Sequence, residues 1–151
     1  MADYPAPLVV AAGAGEVIEV GGVEHLFKLT GHQSAGRLAV EEFSLAPGAM
    51  GARPHVHSAH DEHFYVTSGE LTIHDGTGEQ LVTAGSLVAA LRGSAHGFRN
   101  AGNTVVQGLT LFTPAGYENY FRDVHAAVAG GAVLSDELLA EHRSRYDTIS
   151  L

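Results

Sequence analysis

The sequence has no cysteine and no tryptophan, and only 8 Lys+Arg against 17 Asp+Glu. The missing cysteines exclude disulfides, thiolate metal sites and cysteine nucleophiles, and leave the redox compartment open. A formal net charge of −9 without a basic cluster argues against nucleic acid and anionic membranes as main partners. No apolar run approaches the roughly 18 residues of a membrane span. No Lys or Arg precedes Lys28, so the apolar patch at 8–15 lacks the basic start of a secretory signal. A cytoplasmic location is the expectation.

The 151 residues suit one domain, 1–151, which is long enough to bury a core of its own. Its 19 glycines fit many turns better than many helices. From 16 to 114 the text alternates short apolar runs with Gly, Pro, Asn and Asp. The pattern predicts strands over 16–20, 25–30, 37–45, 62–67, 70–74, 79–82, 86–90, 97–99 and 105–112. Gly21–Gly22, Pro47–Gly48, Ser68–Gly69 and Asp75–Gly76 mark turns. No βαβ rhythm is present, so the reading is an all-β sandwich or barrel, with its core at about 16–114. A helical tail occupies 115–151. Tyr117, Tyr120, Phe121, Val124 and Val128 recur at helical spacing, and Gly130–Gly131 stops that helix. Ser135, followed by Asp136 and Glu137 and later by arginines, reads as the cap of a second helix. Both short C-terminal α-helices are expected on the outside of the barrel.

Histidine is the unusual residue, 10 of 151, with four between His55 and His63. On a strand, period-2 alternation puts His55 and His57 on one face, where two imidazoles can chelate a divalent metal. After a turn at 58–61, Glu62 enters the next strand, and its carboxylate can reach the same point. His60 falls in that turn. Alternation points His63 away from Glu62, although one bulge would exchange them. His60, His63 and Tyr65 therefore stand as second-sphere or alternative ligands. The best fourth ligand is His96, after a glycine turn at the start of a strand. His25, His32, His74, His125 and His142 read as surface or packing residues.

These residues resemble the cupin superfamily. His55-x-His57-x4-Glu62-x6-Gly69 matches the first cupin motif, and Gly85-x5-Leu91-x-Gly93-x2-His96-x3-Asn100 matches the second. Two positions depart from the pattern: Leu91 stands where the family usually has proline, and Ala49 where it usually has glycine. Neither is a ligand. The motifs cover about 48–100, and together they are specific. The stretch after the last strand is similar to small single-domain bacterial cupins of the quercetin 2,3-dioxygenase-like kind.

The resemblance implies a conical β-barrel, the jelly roll or double-stranded β-helix. It also implies one divalent transition metal (Fe, Mn, Ni, Co, Cu or Zn) held by His55, His57, Glu62 and His96, and a homodimer, with Tyr117, Tyr120, Phe121, Leu138 and Leu139 covering a barrel face or the partner. Each ligating imidazole needs an outer acceptor, for which Asp61, Gln107 and backbone carbonyls are candidates. Strand alternation fills the interior with Val40, Phe64, Val66, Val88, Phe98, Leu109 and Leu111, an apolar pocket for a small apolar or aromatic substrate. Arg53, Arg92 and Arg99 are the nearby basic groups, and one of them could anchor an acidic substituent. The leading expectation is a quercetinase-like dioxygenase acting on a hydroxylated aromatic or enolisable dicarbonyl, with Glu62 as ligand and base. The alternatives are a zinc-dependent polyketide cyclase or isomerase, and a non-catalytic small-molecule-binding barrel.

Overall fold

The computed structural model describes residues 4–151. Strands β1 (Glu16–Val20), β2 (Val23–Leu29), β3 (Ala39–Leu45), β5 (Asp61–Ser68), β8 (Leu87–Ala90) and β10 (Val106–Thr113) form a six-stranded sheet ordered β1-β2-β3-β10-β5-β8. Strands β4 (Met50–His57), β6 (Glu70–His74), β7 (Glu79–Thr83), β9 (Ala95–Arg99) and β11 (Thr148–Ser150) form a second sheet ordered β11-β4-β9-β6-β7. Every pairing is antiparallel. This is the jelly-roll, mostly-β architecture expected from the sequence. Among the described residues three helices complete it: a single turn α1 (Gly31–Ser34), then α2 (Glu118–Ala129) and α3 (Asp136–Ser144). Among the described residues no helix is long and apolar enough to cross a membrane.

Turn chemistry sets the register. Gly21 and Gly22 join β1 to β2 with φ of 61° and 83°, so both loop positions are left-handed, as a tight two-residue hairpin demands. Gly69, which closes the first histidine-bearing motif, has φ 78°, and a Cβ there would lie 2.6 Å from the Val105 carbonyl oxygen. That position therefore admits only glycine without rearrangement.

One buried cluster, including Phe43, Leu45, Phe64, Val66, Leu71 and Val106, fills the space between the sheets. A second joins Ile18, Phe27, Ala39 and Phe112 to Tyr117, Tyr120 and Val124 of the tail. Phe112 pairs directly with Glu62, and Phe27 with Glu41, so this second cluster lies on the inner face of the six-stranded sheet. Helix α2 therefore does not pack on the outside of the barrel, as the sequence led us to expect. It covers the inner face of β1 and β2, whose apolar residues need a partner. Glu118 locks the entry to this helix: its buried carboxylate accepts from the Gly31 amide at 2.6 Å and the Gly116 amide at 2.7 Å. Ser135 caps α3 as expected, its hydroxyl accepting from the Leu138 amide at 3.2 Å.

The register also corrects the interior. Ala39, Glu41, Phe43 and Leu45 of β3 point inward, as do Val106, Gly108, Thr110 and Phe112 of β10. Val40, Leu109 and Leu111, expected to line the pocket, are half-buried on the other face. A single step of parity decides this. Apolarity favoured Val40 as the inward residue of β3, whereas the structure turns Glu41 inward, where it meets His25.

Candidate metal centre

Strands β4 and β9 place His55 directly opposite His96, and alternation brings His57 onto the same face. Glu62 reaches them from the facing sheet, through β5. All four side chains are buried, and one ligand atom from each lies within 4.8 Å of the others. The Nε2 atoms of His55 and His57 are 3.0 Å apart. Glu62 Oε2 lies 2.6 Å from His57 Nε2 and 3.2 Å from His96 Nε2. No bulge interrupts the β5–β10 register between Asp61 and Val66, so Glu62 rather than His63 faces the cluster.

The outer nitrogens settle the tautomers. His55 Nδ1 donates to the Arg53 carbonyl at 2.7 Å, and His96 Nδ1 to the Ser94 carbonyl at 3.1 Å. His57 Nδ1 meets Thr148 Oγ1 at 2.7 Å, while that hydroxyl donates to the Tyr146 carbonyl at 3.0 Å. Thr148 therefore accepts from His57, and all three rings carry their proton on Nδ1. Three Nε2 atoms and one carboxylate then converge, a group that can hold a divalent metal and that, in the metal-free chain, shares a proton between Glu62 and the Nε2 atoms of His57 and His96. The donor set fits a divalent transition metal, with each imidazole oriented as metal-ligating histidines are.

Electrostatics follow the same geometry. Burial, aided by the neighbouring histidines, pushes His55 down to about 3 against the pull of Glu62. Burial also raises Glu62, but its hydrogen bonds to His57 and His96 outweigh that and hold it well below the usual carboxylate range. For His96, burial works downward, yet the hydrogen bond and charge of Glu62 leave it raised. His60 is lowered to about 4 by burial and by His57.

These shifts predict how the metal-free chain responds to acid. In the unfolded chain His55 and His60 protonate near pH 6.5, whereas in the fold they resist protonation to about 3 and 4. Their folded pKa values are depressed, so the stability they contribute is complete above about pH 6.5 and is lost as pH falls. Glu62 acts in the same direction at lower pH, and the raised His96 acts in opposition. Urea unfolding in chelator should show lower stability at pH 4 than at pH 7, because the two depressed histidines outnumber the raised His96. Equal stability at the two pH values would contradict this buried arrangement.

Other expected residues are placed differently. His60 is buried, its ring 4.0 Å from that of His57 and 4.7 Å from that of Tyr117, behind the cluster rather than in it. His63 and Tyr65 point away from the cluster, because they alternate with Glu62, Phe64 and Val66. Asp61 does not support a ligand: it accepts from the backbone and guanidinium of Arg92. Gln107 is exposed on β10. Thr148 is the side-chain acceptor the sequence reading missed, and it carried no local signal, since the return of β11 alongside β4 brings it there. Arg53 and Arg99 pair at the surface with Asp136 and Glu79.

A cavity of about 320 Å³ opens from His55 and Glu62. Phe98, Tyr117, Tyr120 and Phe121 form its aromatic wall. Phe98 alone of the expected pocket residues lines it, because Phe64 and Val66 are sealed in the core beneath. Arg143 of α3 also borders it, buried, with Nη1 donating to Ser150 Oγ at 3.0 Å. His25 and Glu41 also border it, with Nδ1 and Oε1 2.5 Å apart.

Residues 41–112 match the family model described as the cupin domain. Among solved structures, the chain is similar to a predicted oxalate decarboxylase from Thermotoga maritima (TM-score 0.65, 22% identity, 71% of this chain and 99% of that one). It is also similar to the polyketide cyclase RemF from Streptomyces resistomycificus (TM-score 0.62, 19% identity, 72% and 80%). A sugar phosphate isomerase of the cupin superfamily from Silicibacter pomeroyi gives a TM-score of 0.54 at 28% identity, with 61% of this chain spanning 59% of that one. Comparison with curated protein sequences finds no match. The fold is the cupin fold, and these neighbours carry different chemistries on it, so the reaction must be argued from the site.

Proposed function

We propose that this cupin-fold chain is a metal-dependent enzyme acting on a flat hydroxylated aromatic or enolisable dicarbonyl molecule. The observation that carries the reading is the convergence of three Nε2 atoms and the Glu62 carboxylate at one end of an aromatic-walled cavity. His55, His57, Glu62 and His96 would hold the metal. When bound there, it supplies Lewis acidity toward a substrate oxygen and, if redox-active, a route for oxygen chemistry.

The chain's own residues do the rest. Glu62 borders the cavity and takes the proton of the hydroxyl or enol that approaches the centre. Phe98, Tyr117 and Phe121 orient a planar body and exclude water from it. Burial holds Tyr117 well above the ordinary tyrosine range, so it remains a neutral wall residue.

With oxygen as co-substrate, the reaction is a quercetinase-like dioxygenation. A cyclisation or isomerisation without oxygen is the second reading, supported by the His25–Glu41 pair, which places further proton-handling groups in the same cavity. Oxygen uptake by the metal-loaded chain over a panel of flavonols and β-diketones separates them. Dioxygenation requires one O2 consumed per substrate and no turnover under argon. Equal turnover under argon supports the cyclase or isomerase. A chain that neither takes up metal nor turns over any of them would be a binding barrel.

A further inference from the structure

His25 and Glu41 look unrelated in the sequence, yet the β2–β3 pairing brings them together on the inner face. Both are buried, and both border the cavity that begins at His55 and Glu62. His25 Nδ1 lies 2.5 Å from Glu41 Oε1, and the imidazole ring packs 4.4 Å from the Phe121 ring. A carboxylate only accepts, so it fixes a proton on Nδ1, and in the neutral imidazole that leaves Nε2 as an acceptor. Nε2 has no hydrogen-bond partner among the described residues, and it is not one of the sealed, unsatisfied atoms. Burying such a pair is costly unless every polar atom is satisfied, and His25 borders the cavity, which is open to a partner for Nε2.

Glu62 stands on β5 and Glu41 on β3, with β10 between them. At about 4.8 Å per strand, the two stations are on the order of 10 Å apart. That is the span of a two- or three-ring molecule. The wall between them includes Phe98 and Phe121, and the cavity volume of about 320 Å³ is of the same scale.

We propose that the His25–Glu41 pair is a second recognition station, which accepts a hydrogen bond from a distal hydroxyl of the substrate. The substrate class is thereby a two-ended flat molecule, with one oxygen head at the His55/His57/Glu62/His96 centre and a phenol or enol at the far end. His25 touches that hydroxyl. Glu41 is a positioning residue, acting through the tautomer it imposes. The inference rests on the proposed aromatic or dicarbonyl substrate and names what distinguishes one such molecule from another.

Binding tests it without turnover. The probes are 3-hydroxyflavone, its 7-hydroxy and 4′-hydroxy derivatives, and the corresponding methoxy compounds, titrated by fluorescence against the metal-loaded chain at pH 8. At least one distal hydroxyl should tighten binding about 10-fold or more over both the parent and its methyl ether. In His25→Phe that increment should vanish, so that hydroxylated probe, methyl ether and parent bind within about 2-fold of one another. In Glu41→Gln the amide can either accept from or donate to Nδ1, so the tautomer is no longer imposed and the preference for hydroxyl over methoxy should fall by several-fold. A purely structural pair would weaken all probes alike and leave the ratio of hydroxyl to methoxy binding unchanged. The double substitution H25F/E41Q leaves no unpaired buried carboxylate and should bind parent and hydroxylated probes equally, even where H25F alone folds poorly.

Parent binding with no hydroxyl increment, or an increment that H25F retains, overturns the station and leaves the proposed function standing. Absence of saturable binding by any probe overturns both.

Discussion

Replacing His57 by alanine is expected to strip the chain of tightly bound metal. His57 is 1% exposed and sits at the middle of the cluster, 3.0 Å from His55 Nε2 and 2.6 Å from Glu62 Oε2. Losing an outer-sphere partner of a metal ligand costs about 10–100-fold in affinity, and losing the ligand itself should cost more. Metal binding to the native state also stabilises it, by about 4 kcal/mol when free metal is 1,000 times its dissociation constant. For a chain of this size that is a rise in Tm of roughly 8–16 °C. Elemental analysis should find close to one equivalent in the native sequence purified without chelator and a small fraction of that in His57→Ala. The metal-induced rise in Tm should disappear with it. A native chain that takes up no metal on reconstitution would sink the enzyme reading at its base. A variant that keeps its equivalent would remove His57 from the ligand set.

The largest loss of stability should come from Phe64→Ala. Phe64 is fully buried, and its ring packs 4.9 Å from that of Phe98, 6.5 Å from Phe43 and 6.1 Å from His96. Truncating a phenylalanine in such a site costs about 3–5 kcal/mol, through lost transfer energy and the cavity left behind. Roughly 2–4 °C per kcal/mol puts the drop in Tm at about 6–20 °C. Because Phe64 supports His96 and Phe98 from beneath, metal affinity should weaken too. Val40→Ala is the contrast: Val40 lies half-buried on the outer face, and its truncation should cost far less. Equal losses for the two variants, measured by thermal unfolding, would mean that the inward face of the six-stranded sheet has been misassigned.

The strand pattern and the ligand set were legible because both are local. Alternation over two residues suffices to put His55 beside His57, and Glu62 is separated from them by a short turn. Each of the nine strands expected from turn residues and apolar runs has a counterpart within a few residues. Gly69 was legible as part of a motif, but its reason, the close approach of the Val105 carbonyl, was not.

The pocket was read less well. Val40, Leu109 and Leu111 were chosen by apolarity, yet inward and outward differ by a single step of register, and side-chain type does not always reveal it. Tyr65 and His63 went outward by the same rule that turned Glu62 inward. Asp61 was near the ligands in sequence, but it spends its oxygens on Arg92.

By itself, then, the sequence determined an all-β barrel with helical tail, a candidate site of three histidines and one glutamate, and the absence of thiolate chemistry. Those are properties of composition and short-range spacing. Only the tertiary structure decided what surrounds the site. The return of β11 supplies Thr148 to His57, helix α2 folds over the inner face to build the aromatic wall, and the β2–β3 pairing joins His25 to Glu41. Each of these joins residues far apart in the chain. Whether such residues meet depends on which strand pairs with which and on which face each side chain takes, and no local signal carries that information.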